Sequence, residues 1–214
     1  MNLIFVRHGE SVGNAARRWQ GHANAALSDL GREQARKLRE RFAAVGYTPT
    51  HIYASPQSRA FDTAAIASEH WNLPITAWDD LMEVDVGVIS GLTWDEFALR
   101  FPETAAVFAK NRNWDEIPFA EKMSDRSERA RRALDRLIAD HTNDDRVAVF
   151  AHGGIISHLF AELMGSKRLW SVHAENTAVY EFNVDVDLWD QDGTALNVSN
   201  LWRIVRFNDT SHLA

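Results

Sequence analysis

A three-layer α/β/α sandwich around a mostly parallel sheet is the fold this sequence predicts, and two observations carry the prediction. Short apolar runs of strand character stand at residues 3–6, 51–54, 147–151, 179–184 and 201–207. Between several of them lie stretches whose apolar residues recur with helical period. Strands alternating with amphipathic helices build parallel units with helices on both faces.

The elements follow in order. After the run at 3–6, Leu30, Leu38, Phe42 and Val45 form a helical stripe, with Ser28 placed as N-cap. The run at 51–54 leads into Pro56, suited to a helix start, and Arg59 falls in the first turn. A second stripe is formed by Ala130, Ala133, Leu134, Leu137 and Ile138 on an otherwise charged helix. The strand at 147–151 is followed by a broader stripe of Ile155, Ile156, Leu159, Phe160, Leu163 and Met164, which Gly165 ends. Residues 185–200, rich in Asp and Asn, read as a loop between two late strands. The stretch from about 84 to 124 breaks the rhythm: it mixes Trp94, Phe97, Phe101, Phe108 and Trp114 with many charges and with Pro102 and Pro118. It reads as a small helical, cap-like insertion, so the expectation is one domain over residues 1–214.

Composition narrows the function. The 214 residues carry a formal net charge of −7, which argues against a broad nucleic-acid surface. Any anion site must then be a local cationic pocket in an acidic protein. With no cysteine, disulfides, thiolate metal sites and cysteine nucleophiles are excluded. No basic leader opens the chain and no apolar run approaches the ~18 residues of a membrane span. A cytoplasmic protein without a membrane partner is expected. Trp170, Trp189 and Trp202 are candidates for core packing or for the contact of a possible homodimer.

Chemistry concentrates after the strands. The run at 3–6 delivers Arg7-His8-Gly9-Glu10-Ser11, the run at 51–54 leads to Arg59, and the run at 147–151 leads to His152-Gly153-Gly154. Open α/β sheets bind ligands at the carboxyl ends of their strands. If these strands are neighbours, two arginines and two histidines converge. Glycines at a helix start admit an anion to backbone N–H groups.

These segments resemble the signatures of the histidine phosphatase superfamily, also called the phosphoglycerate mutase-like family. Arg7-His8-Gly9-Glu10-Ser11, extended by Asn14 and Gly21, is similar to its opening motif. Ser55-Pro56-x-x-Arg59-Ala60-x-x-Thr63-Ala64 resembles the second, Leu81-x-Glu83-x-x-x-Gly87-x-x-x-Gly91 the acid-bearing one, and His152-Gly153-Gly154 the last. The resemblance implies the phosphoglycerate mutase-like sandwich and five catalytic groups. His8 would be the phosphoryl-accepting nucleophile. Arg7, Arg59 and His152 would hold the phosphate oxygens, and Glu83 would act as general acid and base. Asn14, Gln20, Gly21 and Gly153 would bind substrate around them. No metal and no cofactor is implied, and the partner would be a small-molecule phosphate monoester.

The resemblance leaves the reaction open between a phosphatase, a cofactor-dependent phosphoglycerate mutase and a catalytically weak phospho-ligand-binding protein. Two departures favour the phosphatase. Val84-Asp85-Val86 stands where the mutases carry Arg, His and Tyr, and Met123-Ser124-Asp125 stands where many members carry Gly-Glu-Ser. Arg17-Arg18, Arg131-Arg132 and His158 read as solvated or packing residues. Trp19 and Trp94 are candidates for the pocket, and His212 either closes over the cleft or frays with the tail.

Overall fold

The computed structural model describes residues 1–166, 168–169, 174–189 and 201–214. Among them six strands form one sheet: β1 (Asn2–Arg7), β2 (His51–Ala54), β3 (Ile75–Ala77), β4 (Arg146–Ala151), β5 (Val179–Val184) and β6 (Trp202–Asp209). Their order across the sheet is β3-β2-β4-β1-β5-β6. The pairs β1–β4, β2–β4 and β2–β3 are parallel. The pairs β1–β5 and β5–β6 are antiparallel. The helices are α1 (Val12–Ala15), α2 (Asp29–Ala44), α3 (Ser58–Ser68), α4 (Trp94–Arg100), α5 (Pro102–Asn111), α6 (Met123–Ala139) and α7 (Gly153–Leu163). The sandwich read from the sequence is the fold observed; β3, three residues long at the sheet edge, is an addition.

Alternation along the strands assigns the two faces. Leu3 and Phe5 of β1, with Val147, Val149 and Ala151 of β4, pack against Leu134 and Leu137 of α6 and Ile155 and Leu159 of α7. Ile4, Val6, Ala148 and Phe150 point the other way, onto Leu38 and Phe42 of α2 and Ala64 and Ala67 of α3. Partly buried Trp189 and Trp202 pack on the first of these clusters; Trp170 lies outside the described residues. Of the expected late loop, Val186–Leu188 forms a 3-10 turn, and residues 190–200 lie outside the described residues.

Ser28 caps α2, its side chain accepting from the Gly31 N–H. The buried face of α2 is Gly31, Ala35, Leu38 and Phe42, whereas Leu30 and Val45 are exposed. The stripe expected from hydrophobicity is therefore rotated. Gly31 explains why: a Cβ there would stand 1.9 Å from the Glu10 carbonyl oxygen. The first turn of α2 is pressed onto the loop after β1, an approach only glycine allows.

Residues 86–120 have a hydrophobic cluster of their own, including Ile89, Phe97, Phe108 and Ile117. A capping box of Thr93 and Glu96 opens α4, and Pro102 takes the first turn of α5. The carboxyl-terminal turn Ser211–Leu213 packs on α2, where Arg41 pairs with Asp209. Among the described residues no helix is long and apolar enough to cross a membrane.

Candidate active site

Because β1 lies beside β4, and β4 beside β2, the three strand ends singled out in the sequence are neighbours. The ladder continues one residue past each strand: the His8 N–H donates to the Ala151 carbonyl and the Ser55 N–H to the Phe150 carbonyl, both at 3.0 Å. The His8 and His152 rings consequently sit 5.1 Å apart, centroid to centroid. His8, Arg59 and His152 are each almost wholly buried.

His8 Nδ1 is 2.6 Å from the Gly9 carbonyl oxygen. A carbonyl only accepts, so Nδ1 carries the proton and Nε2 of the neutral ring keeps its lone pair. Burial, reinforced by Arg7 and Arg59, holds the His8 pKa well below the ordinary histidine value. The backbone around the ring is fixed in turn. Thr63 Oγ1 accepts from the Gly9 N–H and donates to the Arg59 carbonyl. The His8 carbonyl accepts from Asn176 Nδ2 at 3.0 Å.

His152 is oriented by Ser55. The Ser55 hydroxyl oxygen accepts from the Gln57 N–H and lies 2.8 Å from His152 Nε2. If that hydroxyl donates its proton to Nε2, Nδ1 of the neutral imidazole is an N–H. No protein atom pairs with Nδ1. Burial and then Arg59 push the His152 pKa well down.

Arg59, in the first turn of α3, donates Nη1 to the Ala23 carbonyl and Nη2 to the Gly21 carbonyl. Arg7 donates Nη1 to the Ala174 carbonyl. The Nε of each is buried with no protein partner. Three buried donors, on Arg7, Arg59 and His152, are thus left without an acceptor among the described residues. A tetrahedral oxyanion supplies the acceptors such groups require.

Glu83 is seated at the start of α7, just after His152. Its carboxylate accepts from the Val84 N–H at 2.8 Å and from the N–H groups of Gly154 and Ile155, each at 3.2 Å. The amides at the start of α7 therefore hold a carboxylate of the protein itself. A Cβ on Gly154 would stand 2.4 Å from Glu83 Oε1. Gln57, buried, braces this arrangement: its Oε1 accepts from the Glu83 N–H and its Nε2 donates to the Gly21 carbonyl.

These groups open onto a cavity of about 770 Å3. Arg7, His8, Arg59, Glu83, Asn14, Gln20 and Gly21 are all in its wall, so the structure brings most of the sequence-derived residues together. His152 stands behind His8. Gly153 is outside the wall, flanking the Arg7 side chain, and Gly154 takes its place. Asn14 and Gln20 are tied to the Ser11 hydroxyl, at 2.9 and 2.7 Å. Trp19 lines the cavity and packs edge-on against Trp114 at 4.9 Å. Trp94 does not line it, packing instead on Phe97 and Phe108. His212 does not line the cavity: its Nε2 lies 2.8 Å from Thr177 Oγ1.

Reading the sequence missed Arg126 and His158, both buried and both in the cavity wall. The signal was present: each polar side chain interrupts the buried stripe of an amphipathic helix. Arg17 and Arg18 also reach the wall, while Arg131 and Arg132 are exposed ion-pair residues of α6. The wall holds six arginines against the single carboxylate of Glu83, which makes it a cationic recess in a protein of net charge −7. Among the described residues no group of three or more His, Asp or Glu side chains is placed to hold a metal ion.

Comparison with known proteins agrees with this geometry. Over 213 residues the chain is 34% identical to phosphoglycerate mutase-like protein 4 of Arabidopsis thaliana, covering 99% of this chain and 86% of that protein. It is 30% identical to a metal-independent phosphoserine phosphatase of the same plant, covering 99% and 83%. A mycobacterial glucosyl-3-phosphoglycerate phosphatase solved in complex with VO3 superposes with a TM-score of 0.76 at 26% identity, covering 97% and 98%. The family model of the histidine phosphatase superfamily (branch 1) matches residues 3–196. That span contains the three strand ends that lead to His8, Arg59 and His152, and the chain belongs to the histidine phosphatase superfamily.

Proposed function

We propose that this chain is a phosphatase that hydrolyses small-molecule phosphate monoesters through a phosphohistidine formed on His8. The observation that carries the reading is the hydrogen bond of His8 Nδ1 to the Gly9 carbonyl, which leaves Nε2 as a nucleophile amid unpaired cationic donors. In the first step Nε2 attacks phosphorus, the bond from phosphorus to the ester oxygen breaks, and Glu83, having taken up a proton as the ester binds, gives it to the departing alcohol. In the second step water attacks the phosphohistidine, Glu83 takes the water's proton, and the N–P bond breaks to release inorganic phosphate. Arg7, Arg59 and the Nδ1–H of His152 hold the three non-bridging oxygens, where charge stabilisation supplies most of the rate. Val84 and Val86 in the wall favour hydrolysis over the mutase reaction, because they add no cation beside Glu83. The name of the metal-independent phosphoserine phosphatase supports this reading. The name of the mutase-like relative supports phosphoglycerate mutation as the second reading.

The test is release of phosphate from p-nitrophenyl phosphate and a panel of phosphate monoesters at mildly acidic and neutral pH. His8→Ala is expected to lower kcat by on the order of 10⁴-fold or more, the scale seen when a nucleophile is removed. Turnover that survives this substitution sinks the mechanism. Isomerisation of phosphoglycerate without release of phosphate replaces the phosphatase by the mutase.

A further inference from the structure

The cavity extends past Glu83 to a second buried cation that the chemistry above does not use. Arg126, in the first part of α6, is 3% exposed and lines the same cavity as His8 and Arg59. Its Nη2 donates to Asp115 Oδ1 at 3.0 Å, an oxygen that also accepts from the Met123 N–H. Its Nε is buried and no atom of the described residues accepts from it. A guanidinium withdrawn from water with a donor left over is costly unless a ligand completes it.

We infer that Arg126 is a specificity-determining residue, which receives a carboxylate on the alcohol portion of a phosphate monoester whose phosphate lies at His8. The inference rests on the phosphate-ester reading of the site. Charge selects the ligand class. Asp115 already shares Arg126, so this guanidinium by itself offers less than one full positive charge, which matches a monoanion better than a second phosphate dianion. His158 lines the wall nearby, and its Nδ1 is 3.4 Å from Ser127 Oγ. Burial, with Arg126 and Arg129, lowers its pKa to about 4, so it adds hydrogen bonding at neutral pH and no charge. A planar carboxylate also suits the edge of a guanidinium, to which it presents two oxygens in one plane.

The test compares 3-phosphoglycerate with glycerol 3-phosphate, which share a three-carbon frame and differ at one end, carboxylate against hydroxymethyl. Binding is measured by calorimetry on the full chain carrying His8→Ala, so that neither ester is consumed. The carboxylated ester is expected to bind roughly 10- to 100-fold more tightly, the scale of one charge-assisted hydrogen bond. Adding Arg126→Met should erase that difference, and Asp115→Asn, which removes the competing negative charge, should widen it. Equal affinity for the two esters with Arg126 in place overturns the inference. So does an Arg126→Met variant that weakens both equally, which marks Arg126 as packing alone. If Arg126→Met does not fold, Asp115→Asn decides, and a narrowed difference there overturns the inference as well. Absence of hydrolysis with His8 present is a separate result: it removes the phosphatase reading and leaves this binding comparison intact.

Discussion

The two ends of the cavity are built by different means. At the sheet end, His8, Arg59 and His152 are placed by strands and held by main chain: Gly9 fixes one ring, Gly21 and Ala23 fix the guanidinium, and the β-ladder fixes the spacing. At the far end, Arg126 stands at a helix start, Arg112 and Trp114 stand in the 84–124 segment, whose hydrophobic cluster is separate from the sheet's two, and Trp19 reaches that cluster from the loop after α1. Backbone restraint gives little room for substitution at the first end. Side chains on a separately packed segment vary without disturbing it at the second. One end is therefore suited to keeping the reacting atoms in place, and the other to choosing among esters.

Gly154→Ala is the sharpest way to break this division. The new methyl would meet Glu83 Oε1 and displace the carboxylate, and a displacement of about 1 Å costs roughly 10²-fold. The loss should appear in kcat for every ester alike; an effect that differs strongly between esters would merge the two ends. Trp114→Ala tests the other end. Removing the partner of Trp19 should change KM about three- to tenfold, by amounts that depend on the ester, with kcat largely kept. A uniform fall in kcat would show that this wall also positions the reacting groups.

The sheet end was legible in the sequence because its determinants are local. An apolar run followed at once by Arg7-His8-Gly9, or by His152-Gly153-Gly154, states both a strand and what stands at its end. The far end was less so, because its residues meet only in the folded chain. Arg126 and His158 sit on helices whose apolar residues explain the helix without them, and Gln57 falls in an unassigned position of its motif. The face of α2 was misjudged for a related reason: Gly31 and Ala35 are silent on a hydrophobicity scale yet form the contact, while Leu30 and Val45 face solvent. At the sheet edge, β3 has three residues, one partly buried and two exposed, too few for alternation to reveal.

The smallest effect is expected in stability against pH, and it touches both ends. His8 and His152 at one end, His158 at the other and His212 in the tail all have lowered pKa values, the last two at about 4. Between that value and the ordinary 6.5 the unfolded chain binds protons that the folded chain does not. Stability therefore falls as pH drops from about 6.5 toward 4 and recovers as pH rises. The urea midpoint should be lower at about pH 5 than at about pH 7, and His158→Gln should flatten the slope. A midpoint independent of pH in this window would mean that these imidazoles are not held neutral by the fold.

The carboxylate of Glu83 on the first amides of α7 has a consequence for the traffic of phosphate. Its field opposes part of the charge of Arg7 and Arg59, and it already occupies two N–H groups that an anion would take. An incoming dianion thus meets a positive charge that is already partly offset rather than a bare positive well. The same partial offset remains when the product departs, so the recess favours passage of phosphate over its retention.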